Sequence, residues 1–361
     1  MSRYEIINGV CIIPDGVTSI ERDDFKGRMD LETVIIPDTV TEICSGAFCN
    51  CSGLKSITIP DSVARIGYCA FLGCSNLTSI NIPASLTEIG PCLVFSGCTG
   101  LKRITIPETV TEIGMSAFKG CTGLTNVVIP DTVRVIDEEA FCDCISLEEV
   151  TIPDSVTRIG RHAFKGCTNL TCITIPDSVT RINSGVFYDC ASLASVAIPD
   201  SATEIDDWAF TGCTSLKSIV IPDSVAVIGE SAFERCKDLA HISIPDSVTR
   251  IDEGAFKDCT SLEKVVIPNA VTRIQDMVFE GCTALTDVII HDKVTIIGES
   301  AFDGCKNLTS INIPDSVTRI ERCAFLGCSG LTSITIPDSV KIGDGAFIGC
   351  TGLSSTDIPN H

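Results

Sequence analysis

A repeat solenoid is the fold this chain predicts, and three observations predict it. All fifteen phenylalanines, from Phe25 and Phe48 to Phe325 and Phe347, recur every 23 residues, with one insertion near Pro91 and one deletion near Lys341. A cysteine stands three residues after each Phe from Cys51 to Cys350, and only the first unit breaks the rule, with Arg28. Each full unit also carries a short run of alternating apolar residues, mostly Ile or Val, that ends in Pro in every unit but the one with His291. Such self-similarity marks stacked supersecondary units, none of which buries its apolar face alone. Each unit packs only on its neighbours, so 361 residues need not split into separate cores, and one continuous domain is expected.

Residues 1–30 read as a capping unit, because Asn8 replaces the strand Leu, Asp24 the Ala and Arg28 the Cys. Residues 31–361 then form about fourteen units, the last one partial. The unit starting at Leu54 is typical. Ile57 and Ile59 alternate with Ser56 and Thr58 as in a half-buried strand. Pro60 removes a backbone donor and ends it. Asp61 and Ser62 suit the following turn, and Val63 and Ile66 point inward again. Ala70, Phe71, Cys74 and Leu77 have the spacing of a short helical or 3-10 turn on the opposite side. Stacking turns each column into a ladder and each strand into a rung of one long parallel sheet. The chain ends at Ile358, Pro359, Asn360 and His361, one strand into a new repeat, with an exposed edge expected there.

Composition narrows the function. A net charge of -21 and the lack of a basic cluster argue against binding a phosphate backbone. No apolar run approaches the roughly 18 residues of a membrane span. The N-terminus, MSRYEIINGVCIIPDG, shows no basic region followed by an apolar stretch, so no secretory signal is expected. Fourteen of 22 cysteines share one apolar column, which suits reduced, buried thiols acting as small hydrophobes. Together these favour a cytoplasmic chain.

The pattern L-x-x-I-x-I-P-x-S-V-T-x-I-G-x-x-A-F-x-G-C-x-x, which runs from Pro14 to Pro359, resembles the BspA-like, or Treponema pallidum-type, leucine-rich repeats. The resemblance implies a right-handed leucine-rich-repeat superhelix with the strands on its inner face. It also implies a cell-surface, adhesin-like role in binding host matrix proteins such as fibronectin and fibrinogen. No signal peptide, anchor or sorting module accompanies it in this sequence.

The candidate chemistry is thin. Asp15, Asp38, Asp61 and their successors, with Glu108 in the same column, form a carboxylate row. It reads either as a Ca²⁺ collector or as Asp residues satisfying turns, and the missing Gly-rich Ca²⁺-repeat spacing favours turns. The Cys column reads as a packing ladder rather than as disulfides, since in-register side chains point the same way. Cys49 with Cys51 and Cys142 with Cys144 form C-x-C pairs without a nearby His, so no zinc site is expected. His162, His241, His291 and His361 lie far apart in sequence, and His291 simply occupies the Pro column. No catalytic constellation, cofactor motif or metal site is expected.

The outward strand positions are free of the fold's demands. Before the first strand Ile or Val stand Arg103, Glu149, His241, Lys264 and Asp287, and one position after it stand Val220, Val266 and Ile289. Apolar groups among charged ones suit a protein interface, although neutral drift on an exposed face gives the same mixture. The expected function is therefore a non-catalytic protein-binding scaffold using these eight residues. The alternative is a self-associating protein whose open coil ends pair, with a homodimer through the C-terminal edge.

Overall fold

The computed structural model describes residues 4–354. Ile358 to His361, and the edge expected there, lie outside them. The chain falls into two compact units, Met1–Val179 and Thr180–His361. Both are parallel-strand β-solenoids, with about fourteen turns in all.

In the first unit Val10–Ile12, Thr33–Ile35 and Ser56–Thr58 pair in parallel, with Ile12 beside Ile35 and Ile35 beside Thr58. Farther along, Arg103–Thr105, Asn126–Val128 and Glu149–Thr151 repeat the arrangement. In the second unit Lys264–Val266 and Asp287–Ile289 pair with a 23-residue offset. The middle residue of each strand points inward and its neighbours point out, as a period of two requires. A second set of short strands holds Ile66 and Ile159 in the first unit and Ile228 and Ile320 in the second, the inward positions after the Pro turn.

Phe and Cys fill the interior. Ring centroids of successive Phe residues stand 5.0 to 5.6 Å apart in the first unit. In the second unit they stand 5.2 to 5.7 Å apart. Each ring lies nearly parallel to the next, an arrangement an aromatic column adopts with its rings offset. The cysteines do more than fill space. Cys51 Sγ donates to the Phe25 carbonyl at 2.8 Å, Cys74 to Phe48 at 3.1 Å and Cys259 to Phe233 at 3.1 Å. A thiol is thus a small apolar group that still satisfies a buried acceptor. All 22 cysteines are free thiols.

The helical or 3-10 turns expected around each Phe are not formed. No helix is present among the described residues, and these segments are turns. Alternate amides divide their bonds. Ala47 N–H and Cys49 N–H donate three residues back, to Cys44 and Gly46, while Phe48 N–H and Asn50 N–H donate to Ala70 and Leu72 of the next coil. Two residues per turn, such as Cys69 at φ 55° and Gly73 at φ 71°, adopt left-handed backbone, which no right-handed helix accommodates.

That column also holds Asp189 and Arg235, but at Gly212 the neighbouring coil leaves no room for a side chain. The φ of Gly212 is 76°, and a Cβ there would meet Asp189 Oδ1 at 2.1 Å. Over this gap Arg235 reaches Asp189 at 3.0 Å, two coils away. Gly212→Ala is expected to cost about 1–2 kcal/mol from backbone strain and displaced side chains. Urea unfolding of the two proteins measures it.

The Pro-Asp-Ser turns close through the backbone, as Val63 N–H to Pro60 O at 3.0 Å illustrates. The side chains tie coils together. Ser62 Oγ donates to Val40 O of the preceding coil at 2.7 Å, and Ser247 Oγ to Val225 O at 2.9 Å. Asp61 and Asp246 accept from backbone amides of the next coil, those of Ala84 and Asn269, rather than from their own turns. His291, in the Pro column, spans its turn with Nε2 2.7 Å from Pro268 O and Nδ1 accepting from Lys293 N–H at 3.1 Å.

Candidate functional site

Six of the eight residues singled out on the strand face belong to the second unit, and register decides which of them meet. Lys264 lies beside Asp287 and Val266 beside Ile289, so these four side chains form a block two strands wide. Lys264 Nζ is 3.8 Å from Asp287 Oδ2, a loose and exposed ion pair worth little to stability. His241 adjoins Lys264 in the same row. Val220 lies beside Ser243, one strand short of Val266, so the apolar row is broken there by a hydroxyl. Exposure singles out the apolar members: Val220 is 76% exposed, Val266 57% and Ile289 54%. Three aliphatic side chains held in water on regular strands contribute nothing to the core.

In the first unit Arg103 and Glu149 both flank Asn126, one on each side, so they share a row without being neighbours. Val128 is exposed in the adjoining row. Sequence reasoning missed a further apolar pair. Ile12 and Ile35 are register partners and both exposed, with Ile7 nearby. The signal lies in the strand alternation, but Ile12 falls within residues 1–30, whose polar substitutions mark a cap.

The arginines that precede the inward Ile of the second strand set are held in ion pairs. Arg65 pairs with Glu42 at 2.6 Å, Arg181 with Asp206 at 2.7 Å, Arg250 with Asp252 at 3.1 Å and Arg319 with Glu321 at 2.9 Å. These arginines are therefore engaged by carboxylates rather than offered to phosphates. Among the described residues no group of three His, Cys, Asp or Glu side chains is placed to hold a metal ion. No helix among them is long and apolar enough to cross a membrane.

A recess of about 520 Å³ in the first unit is lined by Arg22, Glu42, Cys44, Arg65, Tyr68 and Glu88. Its thiol is not activated: burial, then the charges of Glu42 and Glu21, push the Cys44 pKa up. In the thiol ladder burial pushes Cys51 up to about 11 and Cys121 up to about 12. Burial thus favours the neutral thiol form of these groups.

A profile of the BspA type leucine rich repeat region, six copies long, matches residues 18–148, 135–263 and 249–361. The chain belongs to this family. Similar proteins of known structure include a leucine-rich repeat protein from Bacteroides ovatus, 37% identical, with 96% of this chain and 86% of that one covered and a TM-score of 0.76. A leucine rich cell surface protein from Faecalibacterium prausnitzii is 31% identical, with 96% of this chain and 86% of that one covered and a TM-score of 0.51. The pneumococcal vaccine antigen PcpA, 20% identical over 99% of this chain and 96% of its own, with a TM-score of 0.55, shares the fold. No curated protein matches the chain.

Proposed function

We propose that the chain is a non-catalytic, protein-binding scaffold that engages its partner through the exposed strand face, in the manner of an adhesin. One observation carries the reading: Val266 and Ile289 are register neighbours, both more than half exposed, on strands whose inward residues alone build the core. Lys264, Asp287 and His241 run alongside them in the neighbouring outward row, which edges the apolar strip with charge and hydrogen-bonding capacity. Val220 extends the apolar area, and Arg103 and Glu149 supply opposite charges on the corresponding face of the first unit. The charged residues set specificity and encounter rate, while the aliphatic ones supply buried area. The likeness to a protein described as a cell surface protein supports display outside the cell, where host matrix proteins would be the partners.

The test measures binding of the intact chain to immobilised fibronectin and fibrinogen, the matrix proteins that the family resemblance implies. Replacing Val266 and Ile289 by alanine is expected to weaken binding about tenfold or more, the equivalent of about 1.4 kcal/mol. Alanine at Arg103 or Glu149 is expected to act mainly on association rate and its salt dependence. Circular dichroism of the variants should be unchanged. Unaltered affinity in the Val266/Ile289 variant, with loss on changing the turn side, contradicts the assignment.

A further inference from the structure

Eight cysteines stand outside the thiol ladder, and two of them, Cys69 and Cys92, meet at one coil boundary of the first unit. Cys69 N–H donates to Cys92 O at 3.1 Å. The same bond recurs at the boundaries on either side, from Gly46 N–H to Tyr68 O and from Leu93 N–H to Met115 O, but there it joins no pair of thiols. A hydrogen bond of this length keeps the two Cα atoms within the span of a disulfide, usually about 4.4–6.8 Å. The two residues are not in register: Cys69 shares its left-handed column with Leu93, both at φ 55°, and Cys92 stands one place earlier. The parallel alignment that keeps in-register ladder thiols apart therefore does not govern this pair. A thiol in the left-handed column also leans toward the following coil, since Cys323 Sγ lies 3.6 Å from where a Cβ on Gly345 would stand. Both Cys69 and Cys92 are half-buried and within reach of a reagent, whereas Cys74 and Cys98 of the same two coils are fully buried.

The boundary they span is an interrupted one. The second strand set forms one sheet that ends at Arg65–Ile66 and another that begins at Glu88–Cys92, so no strand pairing joins these two strands. The array's single insertion falls in the same coil, near Pro91. Turn-side bonds remain, from Cys69, Phe71 and Gly73 N–H to Cys92, Val94 and Ser96 O. A covalent link between the two cysteines stands where the strand pair is missing. Burial, and then the charge of a Cys92 thiolate, push the Cys69 pKa up, with Lys26 acting against them, while burial and then Glu139 push up Cys92. Thiol exchange is therefore slow at neutral pH and faster in mild alkali.

We infer that Cys69 and Cys92 form an oxidative modification site, a thiol pair that a small organic disulfide converts into a disulfide bond across this boundary. The Cys69 thiolate attacks one sulfur of the reagent RSSR and releases RS⁻. The Cys92 thiolate then attacks the Cys69 sulfur of the mixed disulfide and releases the second RS⁻. The chain gives up two electrons and its two thiol protons, and the reagent is reduced to two RSH. The inference is independent of the strand-face reading, since neither cysteine belongs to the strands that carry that face. The experiment treats the intact, folded chain with oxidised glutathione at about pH 8.5, blocks the remaining thiols in acid and maps the disulfides by mass spectrometry. The expected map shows Cys69 joined to Cys92, with two hydrogen masses lost. Cys172, exposed on a strand beside Glu149, is expected to hold the reagent as a mixed disulfide instead. Cys69→Ser and Cys92→Ser, checked for folding by circular dichroism, should each lower the yield of intramolecular disulfide about tenfold or more. Amide exchange between Cys69 and Cys92 should slow in the oxidised chain and recover on reduction. A folded intact chain that takes up only mixed disulfides, closes a different pair, or joins Cys69 to Cys92 only in urea overturns the inference.

Discussion

Raising the pH past about 9 is expected to unfold the chain steeply, because the thiol ladder that holds successive coils together is a set of acids kept protonated by burial. The ordinary thiol pKa is 9.0, and desolvation raises Cys51 to about 11 and Cys121 to about 12, with Cys98, Cys144, Cys213, Cys259 and Cys305 held well above the ordinary value. Below pH 9 both folded and unfolded chains hold these protons, and the stability is fully present. Above it the unfolded chain releases them while the folded chain retains them, so stability falls until the pH passes the raised folded values. Each such thiol contributes about 1.4 kcal/mol per pH unit in that window. With about ten acting together the slope is on the order of 10 kcal/mol per pH unit, comparable to a domain's usual total stability. A pH titration followed by circular dichroism should show a cooperative transition beginning between pH 9 and 11, reversible if thiols are kept reduced. A β signal that persists to pH 12 would show that the thiols are not desolvated in this way.

The second large effect is expected from Phe233→Ala. Phe233 is fully buried and stacks on Phe210 at 5.3 Å and Phe256 at 5.4 Å, so its removal opens a cavity between two rings that lose their partner. Transfer and cavity terms together cost about 3–5 kcal/mol, and each lost stacking contact adds to this. In a repeat array the deficit falls on the two interfaces beside the altered coil rather than on a shared core. Urea unfolding should show the loss of stability, and amide exchange should accelerate first near residues 210 to 256. Phe233→Leu, which keeps most of the volume, should cost much less. A loss below about 1 kcal/mol for Phe233→Ala would mean that the column packs loosely.

Most of this architecture is legible in the sequence because stacking forces equivalent residues into identical surroundings. The Phe and Cys columns, the strand alternation around Ile57 and the turn after Pro60 repeat for that reason. The turn around each Phe was misread because Ala70, Phe71 and Cys74 have the same spacing on one helical turn as on a turn containing two left-handed residues. Gly46 and Gly73 hint at the second, but Cys69, Trp208 and Arg235 occupy the same columns and dilute the signal. The second set of strands escaped notice because two residues, such as Arg65 and Ile66, are too few to show alternation. That each thiol donates to a Phe carbonyl depends on where that carbonyl points, which composition does not encode. On the binding face, alternation identifies the outward residues. The meeting of Lys264 with Asp287 and of Val266 with Ile289 follows once the 23-residue offset is taken as the strand register.

The claim that this strand face carries the function is tested most directly by hydroxyl-radical footprinting of the intact chain, free and saturated with fibronectin or fibrinogen. Oxidation at Val220, Val266 and Ile289 should fall severalfold on binding, while exposed side chains away from the strands, Tyr68 and Ile145 among them, keep their reactivity. Protection of Tyr68 and Ile145 with Val220, Val266 and Ile289 unchanged would contradict it.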